Sequence, residues 1–154
     1  MAELDLIAHI YAEGDVPDGA LVGEPTRQLP AFYDQLNLPL ADTSITQSFT
    51  GPADLHGVAT IAAYDDRALL SNAYQVLKAA MGPGSTDYGM GDMGMYAAGL
   101  DDEGRPARLL FLRCRTVVFL EGGGSHPANS ATIITWAARI DMRLQRFRTM
   151  PGMC

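Results

Sequence analysis

Three stretches of this 154-residue chain hold residue types that can do chemistry. Met90, Met93 and Met95 sit within six positions of one another, with Met81 nearby. Thioethers are soft donors, so such a cluster can hold Cu(I). No histidine or cysteine accompanies it, and methionines also fill gaps in a core. Gly122, Gly123 and Gly124 are followed by Ser125 and then by a helical pattern. Free N–H groups at a helix start can cradle an anion, which makes Gly123, Gly124 and Ser125 an anion-binding candidate. The Gly-Lys-Ser/Thr of a P-loop is missing, and a plain turn before a capped helix is the competing reading. Arg139, Arg143 and Arg146 share one face of the last helical stretch and are candidate contacts for an acidic partner or anionic head group.

Other signals fall away on inspection. Gly89-Met90-Gly91-Asp92-Met93-Gly94 spells G-x-G-x-x-G. A dinucleotide site needs a strand before those glycines and a helix after them, whereas here a polar loop precedes and a strand-like stretch follows. Asp101, Asp102 and Glu103 have no calcium-loop spacing and read as a solvated turn. His9, His56 and His126 show no ligand spacing. No nucleophile elbow, H-E-x-x-H or Cys/His signature is present, so the expectation is a non-catalytic protein without a cofactor.

The positioning elements follow from apolar spacing. Leu4, Ile7, Ala8 and Tyr11 predict a helix over 3–12, ended at Gly14 and followed by the turn Asp15-Val16-Pro17-Asp18-Gly19. Residues 20–42 carry Pro25, Pro30 and Pro39 and read as extended chain with a short helical turn at 31–36. Residues 43–50 and 58–64, with His56 and Gly57 opening the second, predict a hairpin in which Ile45, Gln47 and Phe49 share a face. Asp65 and Asp66 cap a helix over 67–81 with a stripe at Leu69, Ala73, Val76, Leu77 and Ala80. Strands follow at 93–99, 107–112 and 116–121, with a turn at Arg113, Cys114 and Arg115. Ile133, Ala137, Ile140, Leu144 and Phe147 predict one core face on a helix over 127–147, with Pro127 in its first turn.

The sum is one α+β domain over 1–154, with about five antiparallel strands and two or three helices packed on one face. Its N-terminal part is 1–42, its core 43–147 and its tail 148–154.

Composition narrows the function classes. Apolar residues make up 47% and charged residues 19%, which excludes a disordered tail. The net charge of −7 argues against nucleic acid as a partner. Residues 1–104 hold sixteen acids against Arg27, Arg67 and Lys78, while 105–154 hold eight arginines against Glu121 and Asp141. This asymmetry reads either as internal charge balance or as a basic docking face. Two cysteines, Cys114 and Cys154, cannot alone close a tetrahedral zinc site, and their spacing leaves a disulfide open. No apolar run is long enough to span a membrane, so membrane contact would run through an anchor outside this chain.

Several motifs then join. Ala63-Tyr64-Asp65-Asp66 opens an alanine-rich helix and Gly91-Asp92 opens a strand. Leu110-Phe111-Leu112-Arg113-Cys114-Arg115-Thr116-Val117-Val118 forms a hairpin, and Ala137-Ala138-Arg139-Ile140-Asp141 lies in the closing helix. Over roughly 56–147 this resembles the extracytoplasmic α+β modules of bacterial lipoproteins and of mycobacterial receptor-kinase sensor domains. There a G-D precedes a strand, an F-R-x-G-N-x-V-V hairpin follows, and a helix ending A-x-x-x-A-R closes the domain. Cys114 departs from the pattern by standing where the turn glycine would be, a costly residue at positive φ. The resemblance implies a cell-envelope location and a binding or sensing role, with a subunit of an envelope assembly as one form of it. It supplies no catalytic residues. The alternatives are a cytoplasmic location, a metal-handling protein using Met90, Met93 and Met95, or a small-molecule enzyme or nucleotide binder at the Gly122–Gly124 turn.

Overall fold

A computed structural model of the chain describes Leu6, residues 20–52, 54–82, 84–97, 106–123 and 128–149, and Cys154. The expected helix over 3–12, the turn at 15–19 and the acidic turn at 101–103 lie outside these residues. Seven strands form one antiparallel sheet: β1 Leu21–Val22, β2 Thr43–Thr50, β3 His56–Ala63, β4 Thr86–Asp87, β5 Met93–Ala97, β6 Ala107–Arg113 and β7 Thr116–Gly123. Their order across the sheet is β1-β2-β3-β7-β6-β5-β4. Among the described residues two helices accompany it, α1 Arg67–Ala80 and α2 Ala128–Leu144. Short 3₁₀ turns lie at Ala31–Gln35 and Gln145–Thr149. The α+β class and antiparallel sheet match the expectation, but the described residues form seven strands rather than about five.

The helices lie on opposite faces of the sheet, which corrects the one-face expectation. Leu109, Phe111, Val118 and Leu120 pack with Ile133, Trp136, Ala137, Ile140 and Leu144 of α2. Their strand neighbours Leu110, Val117 and Phe119 pack with Leu70, Ala73, Tyr74 and Leu77 of α1. Successive side chains of a strand point to opposite faces, so β6 and β7 are buried on both sides. Asp66 caps α1, its carboxylate accepting from the N–H groups of Ala68 and Leu69 at 2.8 and 3.4 Å. The buried face of α1 is rotated from the expected stripe: Leu70 and Tyr74 are buried while Leu69 is 40% exposed. The four described side chains of the α2 stripe, Ile133, Ala137, Ile140 and Leu144, are buried as their spacing predicts.

Two glycines make room for α2. Gly57 and Gly122 face each other across β3 and β7. A Cβ on Gly57 would stand 2.5 Å from the Phe49 ring and 3.0 Å from Trp136, and one on Gly122 would stand 2.6 Å from Ile133 Cδ1. Phe49 and Trp136 meet edge-on beneath them, with centroids 4.7 Å apart. Leu6 joins this same layer.

Candidate functional site

The α1 face of the sheet is longer than α1 can cover. A strap over 29–41 lies on the remainder and leaves a cavity of about 150 Å³. Leu29, Leu36, Leu38 and Leu40 line it from the strap, Ala62 and Val117 from the sheet, and Ala73 and Leu77 from α1. The strap is pinned at both ends and in the middle. Ahead of it Thr26 N–H donates to Thr46 O at 2.8 Å, and at its far end Asp42 N–H donates to Ala63 O at 2.9 Å. The Tyr64 hydroxyl donates to Pro39 O at 2.8 Å, and Asp42 Oδ2 accepts from Asp65 N–H at 2.6 Å. The cavity is therefore preformed. Its outer rim is apolar, with Leu29 39% and Leu40 92% exposed.

Every polar side chain that lines it is a hydroxyl: Tyr33, Ser44, Thr60 and Tyr64. Tyr33 bonds to Thr60, and Thr60 Oγ1 lies 3.2 Å from Thr46 Oγ1. Burial pushes the Tyr33 phenol far above its usual range, and burial with nearby Asp42 raises that of Tyr64. Both stay protonated near neutral pH. This lining offers hydrogen bonds but neither a base nor a nucleophile poised to ionise.

A second polar constellation is structural. Arg113 at the end of β6 clasps Asp141 of α2 with two bonds, Nε to Oδ1 at 2.7 Å and Nη2 to Oδ2 at 2.9 Å. Its Nη1 reaches Asp92 Oδ1 at 3.3 Å. Asp92 Oδ2 also accepts the Cys114 N–H at 2.8 Å, and Asp141 Oδ2 that of Gly91 at 3.3 Å. The hydrogen bond to Asp141 is the largest influence raising the Arg113 pKa. Cys114 does take positive φ (56°), in a two-residue turn between β6 and β7, and it is bonded to Cys154. The Asp92 bond and the disulfide hold a conformation that glycine would adopt at less cost. The G-D, the hairpin arginine and the helix aspartate thus form one clamp between the loop before β5, the β6–β7 turn and α2.

The sequence candidates fare differently. Met90 is buried on the α2 side and Met95 on the α1 side, while Met93 is 51% exposed. The three do not converge on one ion, which corrects the metal-site expectation. Among the described residues, no three His, Cys, Asp or Glu side chains gather for a metal. Gly122 and Gly123 belong to β7 rather than to a turn, and Gly124 and Ser125 lie outside the described residues. Gly91 takes positive φ (67°) beneath Leu112 O, serving the approach to β5 rather than a phosphate. Arg139 and Arg146 are exposed and Arg143 is half-buried, so the three do not form an even face. Much of the basic tail faces inward: Arg113 meets Asp92, and Arg115 lies 3.6 Å from Asp65. Glu121 faces Arg108 across β6 and β7; burial raises its pKa, against the pull of Arg108 and His56.

Sequence reasoning missed the cavity. Its one local sign was the run of leucines at 29, 36, 38 and 40 in a proline-punctuated segment, apolar residues without a helix or strand period. Among the described residues no helix is long and apolar enough to cross a membrane. Comparison with protein-family models, with curated proteins and with solved structures finds no match to this chain.

Proposed function

We propose that this chain is a non-catalytic binding or sensing module that works outside the cytoplasm, with the cavity beneath the 29–41 strap as its ligand site. The observation that carries the reading is the lining: aliphatic side chains, four hydroxyls and no charged group. Concave, preformed, apolar sites with a few hydroxyls suit binding. The Cys114–Cys154 disulfide supports an oxidising compartment. Filling about 150 Å³ with apolar atoms is worth roughly 3–4 kcal/mol at 24 cal/mol per Å³. That corresponds to about millimolar affinity. A ligand held more tightly must extend past the rim onto Leu29 and Leu40. Arg139 and Arg146 are a separate proposed contact for an acidic partner.

The test is recovery of the protein from its own cells. Expected are an envelope fraction, an oxidised Cys114–Cys154 pair, and a small molecule released on denaturation that an Ala73→Phe variant lacks. Recovery from the cytoplasm with both thiols reduced, or turnover of a bound compound that Tyr33→Phe abolishes, would overturn the reading.

A further inference from the structure

We infer that the cavity takes the end of an unbranched, uncharged alkyl chain, whose remainder runs out over Leu29 and Leu40 with any charged head in water. The inference rests on the cavity being the ligand site. Three observations carry it. Three of the four lining hydroxyls are already engaged: Tyr64 donates to Pro39 O, and Tyr33 and Thr60 bond in series with Thr46. They demand no polar group from a ligand. No charged side chain lines the space, so an ionised end would be buried without a counter-charge. A space of about 150 Å³ is the size that admits a six-carbon hydrocarbon. Leu40, 92% exposed on the rim, extends the apolar surface outward from there.

Leu29, Leu36, Leu38 and Leu40 make the strap's contact mostly aliphatic, with the ring of Tyr33 beside them. Such walls suit a flexible methylene chain better than a flat ring, which gains most from aromatic partners. The same chemistry is offered by a free single-chain amphiphile and by the tail of a bilayer lipid.

Calorimetric titration with decanol, decanoate and decanedioate tests the inference. Decanol and decanoate should bind with similar strength. Decanedioate should bind at least tenfold more weakly, because either end carries a carboxylate into the cavity. Ala73→Phe from the helix side and Ala62→Ile from the sheet side should each abolish binding, with native circular dichroism retained in at least one. Leu40→Ser, at an exposed position, should weaken decanol several-fold. Decanedioate binding as tightly as decanoate, and lost in the filled variants, overturns the alkyl-end inference but keeps the cavity as the site. Binding that survives both filled variants overturns the site as well, and no binding by any of the three overturns the inference. Flotation with phosphatidylcholine vesicles that Leu40→Ser abolishes assigns the chain to a bilayer lipid. Decanoate binding without flotation assigns it to a free amphiphile.

Discussion

At Arg113 one guanidinium joins the end of β6 to α2 and to the loop before β5. It is 6% exposed and Asp141 7%, so each depends on the other. Asp141→Ala should cost about 3–5 kcal/mol in urea unfolding, because it leaves a buried cation with only the longer Asp92 contact. Arg113→Met combined with Asp141→Leu should cost clearly less than Asp141→Ala alone; an equal or larger loss would mean that the clamp adds net energy. Glu121 gives a pH-dependent prediction. Burial raises its folded-state pKa, so the native state holds its proton more tightly than the unfolded chain does. Its stabilising contribution is then present below the usual carboxylate range and lost as pH rises through the folded value. Glu121→Gln should therefore improve stability relative to the parent more at pH 7 than at pH 4, read from urea midpoints. The opposite order would show that pairing with Arg108 outweighs burial.

At the scale of elements, the first hairpin and both helices are legible because each carries its own period. Ile45, Gln47 and Phe49 recur on one buried face at every second position, and Ile133, Ala137, Ile140 and Leu144 repeat at helical spacing. The layering was legible too, in a sign that the one-face expectation passed over. Residues 109–112 and 117–120 are apolar without a break, the pattern of strands covered on both sides, and the structure buries Ala107 to Phe111 and Thr116 to Leu120 throughout. The stripe on α1 misled because Leu69 and Leu70 both fit a helical period, and only the sheet decides which is buried. β1 and β4 are two residues long, too short for any period to register. Gly57 and Gly122 are where β3 and β7 meet α2, so Gly57→Ala or Gly122→Ala should each cost about 1–3 kcal/mol by overpacking. Thermal unfolding checks this, and a neutral Gly57→Ala would mean that the Phe49 and Trp136 rings shift freely.

Over the whole molecule, the acidic front and basic tail are joined by internal pairs, Arg113 with Asp92 and Arg115 with Asp65. That junction favours charge balance as the main reading of the asymmetry. The cavity was illegible because three distant parts build it: the strap, the middle of the sheet and α1. No window of sequence contains them. The disulfide spans 40 residues and closes the loop holding β7 and α2. Adding reductant should lower stability by about 2–4 kcal/mol. Cys154→Ser should start from the lower value and show no further response to reductant; an unchanged parent would show that the bridge constrains little. The two-residue borders of the sheet carry one more consequence. A long bare margin invites a second copy to zip on through its backbone, and chains so joined grow into fibres. Here the margins are stubs, so concentrated solutions should resist fibrillar polymerisation even though the inner strands are among the most apolar stretches of the protein.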